Sequence, residues 1–568
     1  MGDQLFISSP EGSEDPYPIR RGCRVTPLIE SAAMYPLLER ELLSAQQSVW
    51  LAFRIFDPST RLRSEEAVAA GHVTWLDLIA ATVERGVEVR LLLADFEPIL
   101  ADYLHASSWS SFRTLRERLD DLPEAHRKLF QMIVIQHEGE IGWAWLQLLR
   151  LNVRKHVRGV VERLLDESNR DEHVFDIRPG LWRWLCWKDS KPHRWCAAPA
   201  RRLWPASYHQ KCAVIDGRKA IIGGLDLDER RWDDARHSRQ SAETWHDVSS
   251  LVEGALAGDA ADHFASLWNR ELPRFKTIVR EWTDTAEGEL VLEPLTAIEQ
   301  AGTRDMASVG GAETQLVRTL SRKSPSTIAM GPKPDICEIK EAHRKIFAIA
   351  RNSLYIEAQF FRSRLAAGWL IEALKRNPAL EVIILIANVP EEIAFLGQSD
   401  NPVHRYGEHL QARALTRILA AGGPDRVGLF TLVKHEKADR ADRKFEDSRG
   451  TAYGSGVIHI HAKLLIADEE ACLLSSANIN GRSFNWDTEL GFLWRQTDGA
   501  IGRFRGDLWG QLFGGKLPPE AKLADWHRLA EHNRTAEPEM RHGFVVPYQR
   551  SRARRFGVRY FWIPDSLV

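Results

Sequence analysis

Two distant stretches of the chain repeat one order of apolar patterns. Residues 36–46 (PLLERELLSAQ) carry apolar positions at helical spacing, and Ser48–Phe53 follows as a short extended run. Residues 75–86 (WLDLIAATVERG) are again helical in spacing, and Val87–Leu93 is an apolar run of the buried-strand type. The second stretch repeats this. Residues 338–350 (EIKEAHRKIFAIA) predict a helix, Ser353–Glu357 a strand, residues 368–376 (GWLIEALKR) a helix and Val382–Ile386 a strand. Strands alternating with helices predict an α/β fold with a largely parallel sheet. Its repetition predicts two pseudo-symmetric lobes, each a mixed or parallel sheet flanked by helices, with the functional site between them.

Residues 286–335 are rich in Gly, Ser, Thr and Pro and mark the junction. The division is therefore 1–285, the junction, and 336–568, with Gln315–Ser321 placed as a possible first strand of the second lobe. Residues 97–200 and 388–455 read as insertions. The second contains KHEKADRADRKFEDSRG, a charged run expected to be a solvated loop.

Composition narrows the class. The chain has 568 residues, 44% hydrophobic and 27% charged, which is ordinary for a globular protein. The net charge of −2 gives no electrostatic case for a nucleic-acid partner. The six cysteines form no CxxC pair and are too sparse for a disulfide scaffold. The first residues, MGDQLFISSPEGSEDPYP, lack a basic start and an apolar run, and Phe6 breaks the myristoylation pattern. No stretch approaches the ~18 apolar residues of a membrane span. A soluble or peripheral protein is expected, either cytoplasmic or exported without a classical cleaved signal.

One motif occurs twice. His209-Gln210-Lys211 is followed after four residues by Asp216, and His461-Ala462-Lys463 after four residues by Asp468. Six residues intervene before Gly223-Gly224-Leu225-Asp226 in one copy and Ser475-Ser476-Ala477-Asn478 in the other. The offset from His to Asp226 or Asn478 is 17 in both. His and Lys two apart on extended backbone share a face. The small residues, Gly224 and Ser476 among them, are expected to let backbone approach a phosphate. A single His or Lys on a strand is usually structural; two matched sets are not explained that way.

HxKxxxxD in duplicate resembles the phospholipase D superfamily. Tyr208–Leu227 (YHQKCAVIDGRKAIIGGLDL) is similar to the first motif of phospholipase D proper. Trp245-His246-Asp247-Val248, Ile356–Phe361 (IEAQFF) and Ser475–Ser483 (SSANINGRS) resemble the segments that accompany it. Ala358 and Asp226 stand where the family often has Asn, and Ser475 where it usually has Gly. The likeness runs from about residue 26 to about 513.

The resemblance implies a covalent mechanism. His209 attacks phosphorus, and His461 protonates the leaving alcohol and then activates water or another alcohol. Lys211, Lys463 and Asn478 would hold the non-bridging oxygens. Asp247, after the first motif, and Glu489, after the second, are candidates to orient the histidines, with Asp216 and Asp468 buttressing the lysines or the interface between the motifs. Asp226 is read as a further supporting residue. No metal or cofactor is implied, and no Asp/Glu/His cluster with ligand spacing is legible. The expected substrate is a phospholipid at a membrane surface, and the expected state a monomer. Rival readings are a cardiolipin-synthase-type phosphatidyltransferase, a nuclease of the same superfamily and an inactive binding module.

The 97–200 insertion holds seven tryptophans: Trp109, Trp143, Trp145, Trp182, Trp184, Trp187 and Trp195. Residues 143–165 predict a helix with Leu and Val on one side and Arg150, Arg154, Lys155, Arg158 and Arg163 on the other. It either packs on the catalytic lobe or docks on lipid.

Overall fold

A computed structural model describes residues 2–8, 12–168, 171, 173–188, 191–196, 203–286, 295–299, 306–518 and 520–568. Parts of the expected junction (287–294 and 300–305) and of the insertion (169–170, 172, 189–190 and 197–200) lie outside them.

The duplicated pattern folds as duplicated structure. In each half, three strands run parallel: Ser48–Phe53, Glu88–Ala94 and Phe130–Ile135 in the first, and Ser353–Ala358, Glu381–Ile386 and Val427–Leu432 in the second. The motif strand then pairs antiparallel with the first of them. Cys212–Ile215 lies on Ser48–Phe53, and Lys463–Ala467 on Ser353–Ala358. Each motif strand is followed by a tight hairpin, to Lys219–Gly223 or to Ala471–Ser475. The sheet is thus mixed. A parallel neighbour needs a crossover of a dozen or more residues, and these short connections permit only antiparallel pairing.

The two half-sheets are continuous. Arg20–Ile29 pairs antiparallel with Ala312–Arg322, and this seam joins all sixteen strands of the main sheet. On either side the order is mirrored: hairpin strands, motif strand, then the parallel strands. Ala312–Arg322 lies within the stretch marked as the junction and includes Gln315–Ser321. One apolar cluster spans the seam, joining Val214, Ile222 and Val248 to Leu464, Leu474 and Phe492. Helices Ser31–Ser44 and Trp75–Glu84 flank one half, and Glu338–Ile349 and Arg364–Arg376 the other. The first of these begins before Pro36, which sits inside it.

Two other expectations change. The charged run at 434–450 is only partly solvated: Glu436, Lys437, Arg440, Arg443, Lys444 and Glu446 are exposed, but three of its charged residues are not. Lys434, Asp442 and Arg449 are buried. Asp442 accepts hydrogen bonds from the Ser241 amide and hydroxyl (3.3 and 2.6 Å), and Arg449 pairs with buried Glu408. Sequence charge alone does not reveal partners some 200 residues away. In the insertion, helix Trp143–Ser168 packs Val153, Val157, Val160, Val161 and Leu164 into the core. Trp109 and Trp184 are buried, whereas Trp143, Leu148 and Leu151 at the other end of that helix are 65–72% exposed. Cys186 and Cys196 are disulfide-bonded across the hairpin of Leu185–Lys188 and Lys191–Trp195.

Candidate active site

Both motif histidines line one cavity of about 130 Å³ between the halves. A larger cavity, about 400 Å³, is lined by residues such as Tyr355, Glu469 and Trp509 and contains no histidine. The chemistry therefore concentrates in the smaller one.

Each histidine is held in place by the opposite half. The His209 amide donates to the Thr488 carbonyl (2.8 Å), and the His461 amide to the His246 carbonyl (2.8 Å). The side chains cross in the same way. His209 Nδ1 meets Glu489 Oε2 at 2.9 Å, and His461 Nδ1 meets Asp247 Oδ2 at 2.6 Å. With Nδ1–H donated to a carboxylate, Nε2 is the free nitrogen of each ring. The lysines turn back on their own motifs: Lys211 Nζ donates to the His209 carbonyl (2.6 Å), and Lys463 Nζ to that of His461.

Burial dominates the electrostatics. It pulls both histidines well below their ordinary value, with Lys211 and Lys463 adding repulsion. It also lowers Lys211 to about 8 and lowers Lys463. Asp247 and Glu489 are raised, again mainly by burial. Both imidazoles therefore favour the neutral form, and burial disfavours the charge on both lysines. A bound phosphodiester anion would stabilise the lysine charge and a protonated imidazole.

Several motif residues have other jobs than the sequence suggested. Asp216 does not reach a lysine. Its carboxylate accepts the amides of Gln46, Gln47 and Ser48 (2.8–3.3 Å). Asp468 likewise takes those of Arg351, Asn352 and Ser353 (2.7–2.9 Å). Both sit at positive φ, 51° and 50°, at the hairpin turn after the motif strand, which aims the carboxylate at the start of the neighbouring strand. They are turn clamps.

The small residues likewise make room for protein groups rather than for a phosphate. A Cβ on Gly224 would stand 2.4 Å from Asp247 Oδ1. Ser476 instead donates its hydroxyl to Glu489 (2.5 Å). Asp226 clamps the amides of Arg54 and Ile55 (both 3.0 Å) and places Oδ2 3.8 Å from Lys211 Nζ. As a carboxylate it would repel a phosphate, so its role is to position backbone and lysine. Asn478 gives one amide hydrogen to Gln359 (3.2 Å), leaving the other for the cavity.

Other residues were not picked out from sequence. Arg54, Gln359, Arg362, Glu392 and Arg482 line the cavity. Beneath Asp247 lies a buried group that sequence spacing did not show, because its members come from separate segments. Glu30, His237 and His246 place their potential ligand atoms within 4.8 Å of one another. Their contacts are those of a hydrogen-bonded chain. His246 meets Glu30 at 2.5 Å and Glu357 at 3.1 Å, and His237 meets Asp233 at 2.8 Å. Against burial, Glu30 and Asp233 raise His237 to about 9. Glu30 also accepts the Asp247 amide (3.3 Å), so the chain supports the residue that orients His461. The signal was present in the WHDV and IEAQFF segments, where His246 and Glu357 went unassigned.

No protein-family model matches the chain. Among curated proteins it is similar to phospholipase D1 of Saccharomyces cerevisiae, 26% identical over 388 residues that cover 56% of this chain and 22% of the yeast protein. It is similar to phospholipase D beta 1 of Arabidopsis thaliana, 22% identical over 398 residues, 55% of this chain and 36% of that protein. Phospholipase D alpha 1 of Oryza sativa subsp. japonica is 23% identical over 359 residues, 49% of this chain and 44% of its own length. The matched part thus spans less than half of each of these relatives. The fold is that of a duplicated α/β protein with its histidines between the halves. The curated proteins that the chain is similar to are thus phospholipases D. No helix among the described residues is long and apolar enough to cross a membrane.

Proposed function

We propose that the protein is a phospholipase D that cleaves the distal phosphodiester bond of glycerophospholipids, with lobes 1–285 and 336–568 contributing one motif each. The carrying observation is the crossed arrangement: two imidazoles in one cavity, each with Nδ1 on a carboxylate of the opposite half.

His209 Nε2 attacks phosphorus and the bond to the headgroup oxygen breaks. His461, protonated when the anionic phosphate is bound, gives its proton to that oxygen. His461 then takes a proton from water as the water attacks the phosphohistidine, releasing phosphatidic acid and restoring His209. An alcohol in place of water gives transphosphatidylation. Glu489 and Asp247 fix the tautomers, and Lys211, Lys463 and Asn478 hold the charge that builds on the non-bridging oxygens. The greater side-chain exposure of His209, 12% against 5% for His461, supports its assignment as nucleophile.

Access to lipid is part of the same reading. Exposed Trp143, Leu148 and Leu151 stand beside Arg150, Arg154 and Lys155 on one helix, a combination suited to a peripheral membrane surface.

The test is product analysis on a panel of glycerophospholipids. Phosphatidic acid plus free headgroup is the expected outcome. His209→Ala or His461→Ala should lower it by at least ~10²-fold. Cardiolipin formed only from added phosphatidylglycerol, or cleavage of DNA alone, would instead favour the transferase or the nuclease. A folded histidine variant with a tenth of the activity would refute the mechanism.

A further inference from the structure

The cavity that holds the two histidines is also lined by two charged side chains with unpartnered atoms. Arg362 is 6% exposed, and its Nε and Nη2 are buried with no hydrogen-bond partner. It forms no ion pair among the described residues. Its guanidinium lies 3.8 Å from the centre of the Phe360 ring, and Gly407 leaves the space that it fills. Glu392 Oε2 is likewise buried and unpartnered. His404 and Arg362 nevertheless hold this carboxyl low against its burial, so it is ionised. Its neighbour Glu391 is already paired with Arg230. Arg362 and Glu392 line the cavity that His209 and His461 line.

An unpaired buried charge is costly, and here two of opposite sign line one cavity with no salt bridge between them. A ligand offering both complementary charges would satisfy them together. The phosphate itself already has Lys211 and Lys463. The two free atoms of Arg362, Nε and Nη2, form the side-on edge that grips a carboxylate through two parallel hydrogen bonds. Glu392 offers an oxygen to an ammonium group.

We propose that Arg362 and Glu392 form a headgroup subsite for an amino-acid-type alcohol, one carrying both a carboxylate and an ammonium group, as in phosphatidylserine. The proposal rests on the diesterase reading above and narrows its substrate. Choline and ethanolamine esters would satisfy only Glu392, and a glycerol ester neither charge.

The test compares kcat/KM for short-chain, monomeric phosphatidylserine, phosphatidylethanolamine, phosphatidylcholine and phosphatidylglycerol. The serine ester is expected to lead the ethanolamine ester by about 10-fold or more, because a site built to bind a polar group rejects analogues lacking it. Arg362→Gln should cut that ratio by about 10-fold. Glu392→Gln should lower the serine and ethanolamine esters relative to the glycerol ester. Calorimetry with the full-length His209→Asn protein gives a readout free of turnover. Glycerophosphoserine should bind more tightly than glycerophosphoethanolamine, and Arg362→Gln should abolish the difference. Equal rates on all four esters, or an Arg362→Gln loss uniform across them, would overturn the subsite while leaving the diesterase intact. Hydrolysis of none would overturn the diesterase reading and the subsite with it.

Discussion

Arg54 and Asp226 face each other in the first half of the site, where the second half has Gln359 and Asn478. The positions match: each follows the strand whose start is clamped by Asp216 or Asp468, and each touches the residue 17 after its motif histidine. The backbone is duplicated while the side chains diverge from charged to neutral. A second exchange lies behind the histidines. Gly224 makes room for Asp247 in one half, and Ser476 donates to Glu489 in the other. A third runs across the hairpins, where Gly223 pairs with Ser249 but Ser475 pairs with Gly491. One residue of each pair must be small, and the halves solve this in opposite senses. Duplication therefore fixes where the two histidines stand, and in the proposed mechanism divergence gives each half a different chemical task.

The sharpest way to break this comparison is through the crossed carboxylates. Glu489→Gln impairs the nucleophile, so it should slow diesters with good and poor leaving groups alike, by about 10²-fold. Asp247→Asn impairs the acid. It should slow natural headgroup esters by a similar factor and affect a nitrophenyl leaving group, which needs no proton, far less. Identical profiles for the two variants would show that the halves are not specialised.

The pH dependence separates the lysines from the histidines. Lys211 has a value of about 8 in the free enzyme, depressed by burial, so it loses its charge as pH rises through 8. Phosphate binding favours the charged form and raises that value. Lys463 is lowered as well, so the basic limb of kcat/KM should fall at or below pH 8, and the limb of kcat at higher pH. Coincident limbs would remove Lys211 from phosphate binding.

Smaller effects are expected at the turn clamps. Asp216→Ala and Asp468→Ala each leave three strand-start amides without their acceptor. Each should cost about 1–3 kcal/mol of stability in denaturant unfolding, with turnover of the folded protein within a fewfold of wild type. A loss of chemistry without a loss of stability would return these residues to the reacting centre. The smallest effect should come from reversing charge at Arg154, Lys155 and Arg158. Binding to anionic vesicles should weaken, and turnover of a soluble diester should change by less than about twofold. Equal loss on both would make the helix purely structural.

Much of this was legible from sequence because it is local. The periodicities of 36–93 and 338–386 reflect helices and strands that each bury one face. The HxKxxxxD spacing reflects a motif strand and its hairpin turn. What the sequence could not show depends on distant segments meeting. The crossing of His209 to Glu489 and of His461 to Asp247 joins residues 280 and 214 positions apart. Glu30 approaches Asp247 because Arg20–Ile29 forms the seam strand, which no periodicity announced. The motif aspartates were misread for a related reason: a carboxylate in a motif suggests chemistry, and only the positive φ at the turn shows it aimed at backbone amides.

The division of labour between the halves is tested most directly by locating the covalent intermediate. Wild-type protein and the Asp247→Asn variant would be quenched without acid during turnover of a slow nitrophenyl diester, digested, and mapped by mass spectrometry. The account predicts phosphate on His209 in both, accumulating further in the variant, whose second step is slowed. Phosphate on His461, or none on either histidine under conditions where product forms, would contradict it.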